Sequence, residues 1–295
     1  MANIKELRLR IKSVGGISKI TSAMEMVASM KLRKAQSAAL SLRPYTAEIR
    51  HLIDHLAQHV GNDASLPLFE KRPVKTTGVL LITSDRGLCG AFNSNLLAKF
   101  HELEESRRSA NPDSKLKLYC YGKKGYNYLF KRGYEIEKFF VEPPLDKVDF
   151  AAAKVVSHEL ENAFLEGKVD EVVVLFMEFA SVVKFIPTPA PFLPVGSIET
   201  GDEAEGGSQR HDYMLEPDPQ TIFNRLIPRY LETVIYDAIL ESQASEHASR
   251  RMAMKSASDA AVRMEKDLKK VYNRVRQEGI TKELLDIIGG ASAVS

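Results

Sequence analysis

Two short constellations hold the residues that could do chemistry. The first is "SDRGLCG", residues 84–90, which sets Cys89 in a glycine-flanked turn directly after the apolar run "GVLLIT". A thiol in such a turn invites nucleophilic attack, and a ring of backbone N–H groups before a helix invites a phosphate. The turn lacks the G-x-x-x-x-G-K-[ST] pattern of a phosphate cradle and no histidine adjoins it in sequence, so it reads as a tight structural turn. The second is His51, His55 and His59, four apart and therefore on one helical face, as zinc ligands would be. Ile49, Leu52, Ile53, Leu56 and Val60 already mark the buried side of that helix, which puts the histidines on its wet side. No metal or cofactor site is assigned. An enzyme would need an acid, a base and a nucleophile in one place, and the sequence offers no such set.

The bulk composition agrees with a chain that works by contact. At 295 residues and 44% hydrophobic it can bury a sizeable core. Lys plus Arg total 41 against 39 for Asp plus Glu, so the whole molecule has no general pull on nucleic acid or an anionic membrane. Its two cysteines, Cys89 and Cys120, form no CxxC pair, as expected in a reducing compartment. The opening "MANIKELRLRIK" is charged from residue 5, and no apolar run reaches the roughly 18 residues of a span, so neither a signal peptide nor a membrane helix is expected.

Three segments position these residues. The first, residues 1–60, carries apolar residues at 4, 7, 11, 14, 17, 20, 24 and 27, a helical spacing, after a capping box of Asn3 and Glu6. Such a helix would be about 85 Å long, with Gly15, Gly16 and Pro44 expected to bend it without ending it. In residues 74–198 the period changes: "GVLLIT", "KLKLYCYG", "DEVVVLFMEF" and "VVKFIPTPAPFLPV" are extended, and "NSNLLAKFHELEESRR", "KKGYNYLFKRG" and "DFAAAKVVSHELENAFLEG" are helical. The alternation predicts a Rossmann-like α/β domain with a largely parallel sheet, its first long helix capped by an asparagine or serine. Residues 199–217, with "ETGDEAEGGSQ", read as a mobile linker. From Asp218 and Pro219 a second helix runs to residue 288 with no convincing stop, Pro228 bending it.

Helices longer than the domain they flank must bury their apolar faces on something else. The predicted architecture is an antiparallel coiled coil of the two terminal helices with the α/β domain between them. Yet "SQASEHASRRMAMKSASDAAVRM" is mostly Ala and Ser, which bury little area. Met24, Met26, Met30, Met252, Met254 and Met264 add soft packing suited to several surface shapes. Residues 1–36 hold eight Lys or Arg against two Glu, and 246–287 hold ten against seven acids. A basic bias on both helices favours an acidic protein partner; a nucleic-acid-binding coiled coil is the alternative.

"KITSAMEMVASMKLRKAQ", "ITSDRGLCGAFN" and "SEHASRRMAMKSASDAAVRMEKDLKKVYNRVRQEGITKELLDIIGGASAV" together closely resemble the gamma subunits of F-type ATP synthases, over nearly the whole chain. The resemblance implies a non-catalytic central rotor stalk. Its coiled coil stands inside three alpha and three beta subunits, and its α/β domain sits on the epsilon subunit and the membrane c-ring. It would couple proton flow to ATP synthesis or hydrolysis by rotation, peripheral on the cytoplasmic face of a bacterial inner membrane. By the same resemblance Lys19, Met24, Lys31 and Lys34 match a bearing region that meets an acidic beta-subunit loop. Arg250, Arg276, Gln277 and Thr281 match polar residues that catch beta-subunit loops, and "IIGGASAV" an end held in an apolar sleeve. Cys89 and its turn match a loop reaching toward the beta subunits, and Tyr213 and Glu216 the region on the ring and epsilon. The cysteine-paired insertion of chloroplast members is missing, so thiol control is not expected.

Overall fold

The computed structural model describes residues 4–59, 67–196 and 219–294. Ten main elements follow one another: α1 (Ile4–His59), β1 (Thr76–Ile82), α2 (Phe92–Ala110), β2 (Lys115–Tyr121), α3 (Lys123–Lys131), β3 (Ile136–Phe140), α4 (Phe150–Leu165), β4 (Glu171–Phe179), β5 (Phe185–Leu193) and α5 (Pro219–Val294). They divide into two compact units, Met30–Ser249 and a helical one of Met1–Ser29 with Arg250–Ser295.

In the larger unit the strands lie in the order β3-β2-β1-β4-β5, parallel except for β5. Central strands covered on both faces need apolar residues at every position, which is why "GVLLI" and "VVVL" carry no alternation. Their side chains still divide by a period of two. Val79 and Leu81 join Phe92, Leu96 and Phe100 of α2 on one face, while Leu80 and Ile82 join α4, Ile49 and Ile53 of α1, and Ile235 and Ile239 of α5 on the other. Pro187, Pro189 and Pro191 of β5 stand opposite Met177, Leu175 and Val173. Lacking N–H groups, they leave that edge without donors and blunt it against further strands. The short edge strand β3 was not foreseen: "IEKFF" is too brief and too charged to register as a strand, and its pairing with β2 decides it.

The expected asparagine or serine cap of α2 is not formed. The helix starts behind Ala91 without a side-chain cap, because Asn93 turns its amide back to Ser84 and Cys89. Asp149 does cap α4, accepting from Ala152 N at 2.9 Å. α1 is helical through Gly15, Gly16 and Pro44, and α5 through Pro228.

In the helical unit α1 and α5 run antiparallel. Ile4 lies beside Gly279, Arg8 donates to the Tyr272 hydroxyl at 3.2 Å, and Gly15 faces the Glu265 carboxylate. Within the larger unit Leu32 and Ala35 cluster with Ala244 and Ala248 in the same sense. Small residues on both helices allow this close approach.

Candidate functional site

The turn after β1 is built from internal hydrogen bonds. Thr83 Oγ1 accepts from Gly125 N at 2.8 Å and donates to the Gly122 carbonyl. Ser84 Oγ donates to Arg86 O at 2.7 Å, and its N–H reaches Asn93 Oδ1. Asp85 accepts from Lys123 N and Leu145 N at 3.0 and 2.9 Å, joining the starts of α3 and of the turn before α4. Every polar side chain of residues 83–85 thus serves the loop's own shape, in keeping with the structural reading of "SDRGLCG". Cys89 is placed inward at 2% exposure, with Asn93 Nδ2 3.3 Å from its sulfur. The outward residue is Leu88, at 63% exposure and φ +64°, a conformation rare for a branched side chain.

Open α/β sheets bind ligands beyond the carboxyl ends of their strands, where the strand order reverses; here that point lies between β1 and β4. β1 pairs with β4 only as far as Leu81 and Leu175, so the later backbone groups of β4 need other partners. α5 supplies them. Met177 N donates to Ser242 Oγ and Ser245 Oγ donates to Met177 O, both at 3.1 Å, and Phe179 N donates to Glu241 at 2.7 Å. Ser249 Oγ donates to Cys89 O at 2.6 Å, and the Gln243 amide donates to Leu145 O. The crevice where this fold would hold a nucleotide is filled by the chain's own helix. Among the described residues no cluster of His, Cys, Asp or Glu is arranged for a metal ion, and the side chains of His51, His55 and His59 lie outside the described residues.

The outer face of the helical unit has a different character. Ile17, Ile20, Met26 and Val27 of α1 and Val262, Met264 and Ile280 of α5 are exposed, interleaved with Lys19, Arg263, Lys266, Lys269 and Arg276. Leu284, Leu285, Ile287 and Ile288 are between 55% and 68% exposed. The facing pairs have residue numbers that total 280 to 283. Among the described residues this apolar end of α5 is uncovered, an exposed patch of the kind that marks a surface for other chains.

The residues singled out in the sequence are not brought into one site. Lys19, Lys34, Arg276, Gln277 and Thr281 are exposed, and Met24 and Arg250 are half-buried. Gln277 and Thr281 line a shallow groove of about 390 Å³ with Arg274, Lys282 and Leu285. Lys31 is drawn inward to an ion pair with Asp146. Burial pushes that carboxyl up, but the hydrogen bond and charge of Lys31, with His247 and Arg86, outweigh it and hold it below its ordinary value. Tyr213 and Glu216 lie outside the described residues. Sequence reasoning missed the polar run Glu241–Ser249 of α5 as a docking element; its signal was a helix stretch whose only apolar residues are the two alanines Ala244 and Ala248.

A donor-blunted sheet with a plugged crevice, carrying two helices whose outer surface is apolar and basic, defines a subunit made to be held by other chains. The sequence profile of the ATP synthase family matches residues 3–294. ATP synthase gamma chains from Chloroherpeton thalassium and Staphylococcus epidermidis are 39% and 36% identical, covering all of this chain and 99% and 100% of theirs. The central stalk and c-ring structure of the Tetrahymena thermophila mitochondrial ATP synthase matches with TM-score 0.58 at 24% identity, covering 81% of this chain and 99% of that one. The OSCP/F1/c-ring structure of the Euglena gracilis mitochondrial ATP synthase matches with TM-score 0.65 at 18% identity, covering 98% of this chain and 94% of that one. The chain belongs to the ATP synthase gamma-chain family, which sets aside the nucleic-acid-binding alternative.

Proposed function

We propose that this chain is the central rotor stalk of an F-type ATP synthase, coupling proton flow through a membrane ring to ATP synthesis or hydrolysis on other subunits. The observation that carries the reading is the bare apolar end of α5 above a basic, methionine-bearing surface, on a chain whose own ligand crevice is filled. Coupling requires the shaft to fit the states of the catalytic sites unequally, since equal fit would shift none of them. A pair of helices with soft side chains on its outer surface meets that need. Catalysis then belongs to the beta subunits and none to this chain.

In this assembly three alpha and three beta subunits surround the helices, and the epsilon subunit and c-ring meet the sheet unit. Lys19, Met24, Lys34, Arg250, Arg276, Gln277 and Thr281 face beta-subunit loops. Lys31 contributes through its pair with Asp146, and the turn at Cys89 presents Leu88. Tyr213 and Glu216 are assigned to the ring and epsilon. No described helix is long and apolar enough to cross a membrane, which suits a peripheral subunit, placed by this reading on the cytoplasmic face of a bacterial inner membrane. The test is reconstitution with alpha and beta chains and a bead tethered to the sheet unit. Stepwise ATP-driven rotation is expected; a complex that hydrolyses ATP without turning the bead would overturn the assignment.

A further inference from the structure

Residues 238–249 of α5 are buried on every side, yet this run contains Glu241, Ser242, Gln243, Ser245, Glu246, His247 and Ser249. A helix enclosed all round is ordinarily apolar, and each buried polar group must find a partner or destabilise the fold. The five side-chain bonds to backbone described above meet that need for Glu241, Ser242, Gln243, Ser245 and Ser249 and are spread around the helix, while the Glu246 carboxylate and the His247 ring lie 2.9 Å from each other. At about 100° per residue, Ser242, Ser245 and Ser249 fall within about 60° of one another, on β4 and the turn after β1. Ala244 and Ala248 point roughly 110° away from them, toward Leu32 and Ala35 of α1, and Gln243 points to a third side, at Leu145.

Alanine surfaces are smooth and resist turning about a helix axis very little. Hydrogen bonds to fixed backbone are directional, and a small rotation of the helix breaks them. We propose that the polar run of residues 241–249 is the joint that transmits torque between the sheet and α5, with Ser242, Ser245 and Ser249 as its positioning residues. An apolar contact of equal area would hold the helix in place but let it slip about its axis under load. This explains why serine stands where Val or Leu would bury more surface. The inference rests on the rotor reading.

The experiment uses the reconstituted complex with the triple variant Ser242→Ala, Ser245→Ala, Ser249→Ala, and Ser245→Ala alone in case the triple variant does not assemble. Unloaded ATP hydrolysis is expected to stay at the wild-type rate. With three of five directional bonds gone, stall torque on a bead tethered to the sheet unit should fall by roughly half, and protons pumped per ATP should fall with it. Ser245→Thr, which keeps the hydroxyl, should restore most of what Ser245→Ala loses. Unchanged stall torque and pumping ratio in both alanine variants would overturn the joint. A wild-type complex that fails to rotate would instead overturn the rotor reading.

Discussion

Gly122 is the residue on which the turn after β1 rests, and replacing it gives a demanding test. It sits at the carboxyl end of β2 with φ +100°, a region that L side chains rarely adopt. A Cβ there would lie 2.0 Å from the Thr83 carbonyl oxygen and 2.6 Å from its carbon. Thr83 cannot retreat, because its N–H donates to Tyr121 O at 2.8 Å and its hydroxyl is held between Gly122 and Gly125. For Gly122→Ala the backbone strain costs about 1–3 kcal/mol and the overpacking a similar amount, which makes about 4 kcal/mol together. In a chain of this size that lowers the melting temperature by about 10 °C, read by circular dichroism on the isolated chain. The same damage would loosen Ser84 and Asp85 and so the whole "SDRGLCG" turn. A variant melting within about 2 °C of wild type would refute the view that this turn is a packed structural junction.

Gly16→Ala should act in the opposite direction, because a Cβ there meets nothing within 4 Å and alanine favours the helix; a gain of about 1 kcal/mol in urea denaturation is expected. Burial holds the Glu161 carboxyl above its ordinary value, against the opposing pull of the Ser157 hydroxyl. The folded chain therefore binds that proton more tightly than the unfolded one, and the stability it contributes, whole below the unfolded pKa, is lost as pH rises through the folded one. Glu161→Gln should accordingly melt higher than wild type at about pH 8, with the difference shrinking toward about pH 4. Both cysteines are enclosed and burial pushes the Cys120 thiol up to about 12, so a disulfide reagent should label the native chain slowly and both thiols at once in denaturant.

Much of this protein was legible in its residues because the governing physics is local. Helical spacing through Gly15, Gly16, Pro44 and Pro228 was enough to predict two helices of unusual length, and the β-rich runs between them an α/β sheet. The resemblance to gamma subunits was equally legible, carried by long stretches that need no coordinates. What stayed hidden depends on residues far apart in the chain. "IEKFF" is a strand only because β2 offers it an edge. Lys31 is a partner of Asp146, and Cys89 an interior residue with Leu88 turned outward, through contacts or enclosure that no spacing encodes. The run "SQASEHAS" looked like a weak seam of a two-stranded coil; in the fold it is a buried plug bonded to the end of β4 and the turn after β1. Periodicity states which face of an element is apolar, but which backbone groups go unpaired, and which hydroxyl reaches them, is settled only when the elements meet in three dimensions.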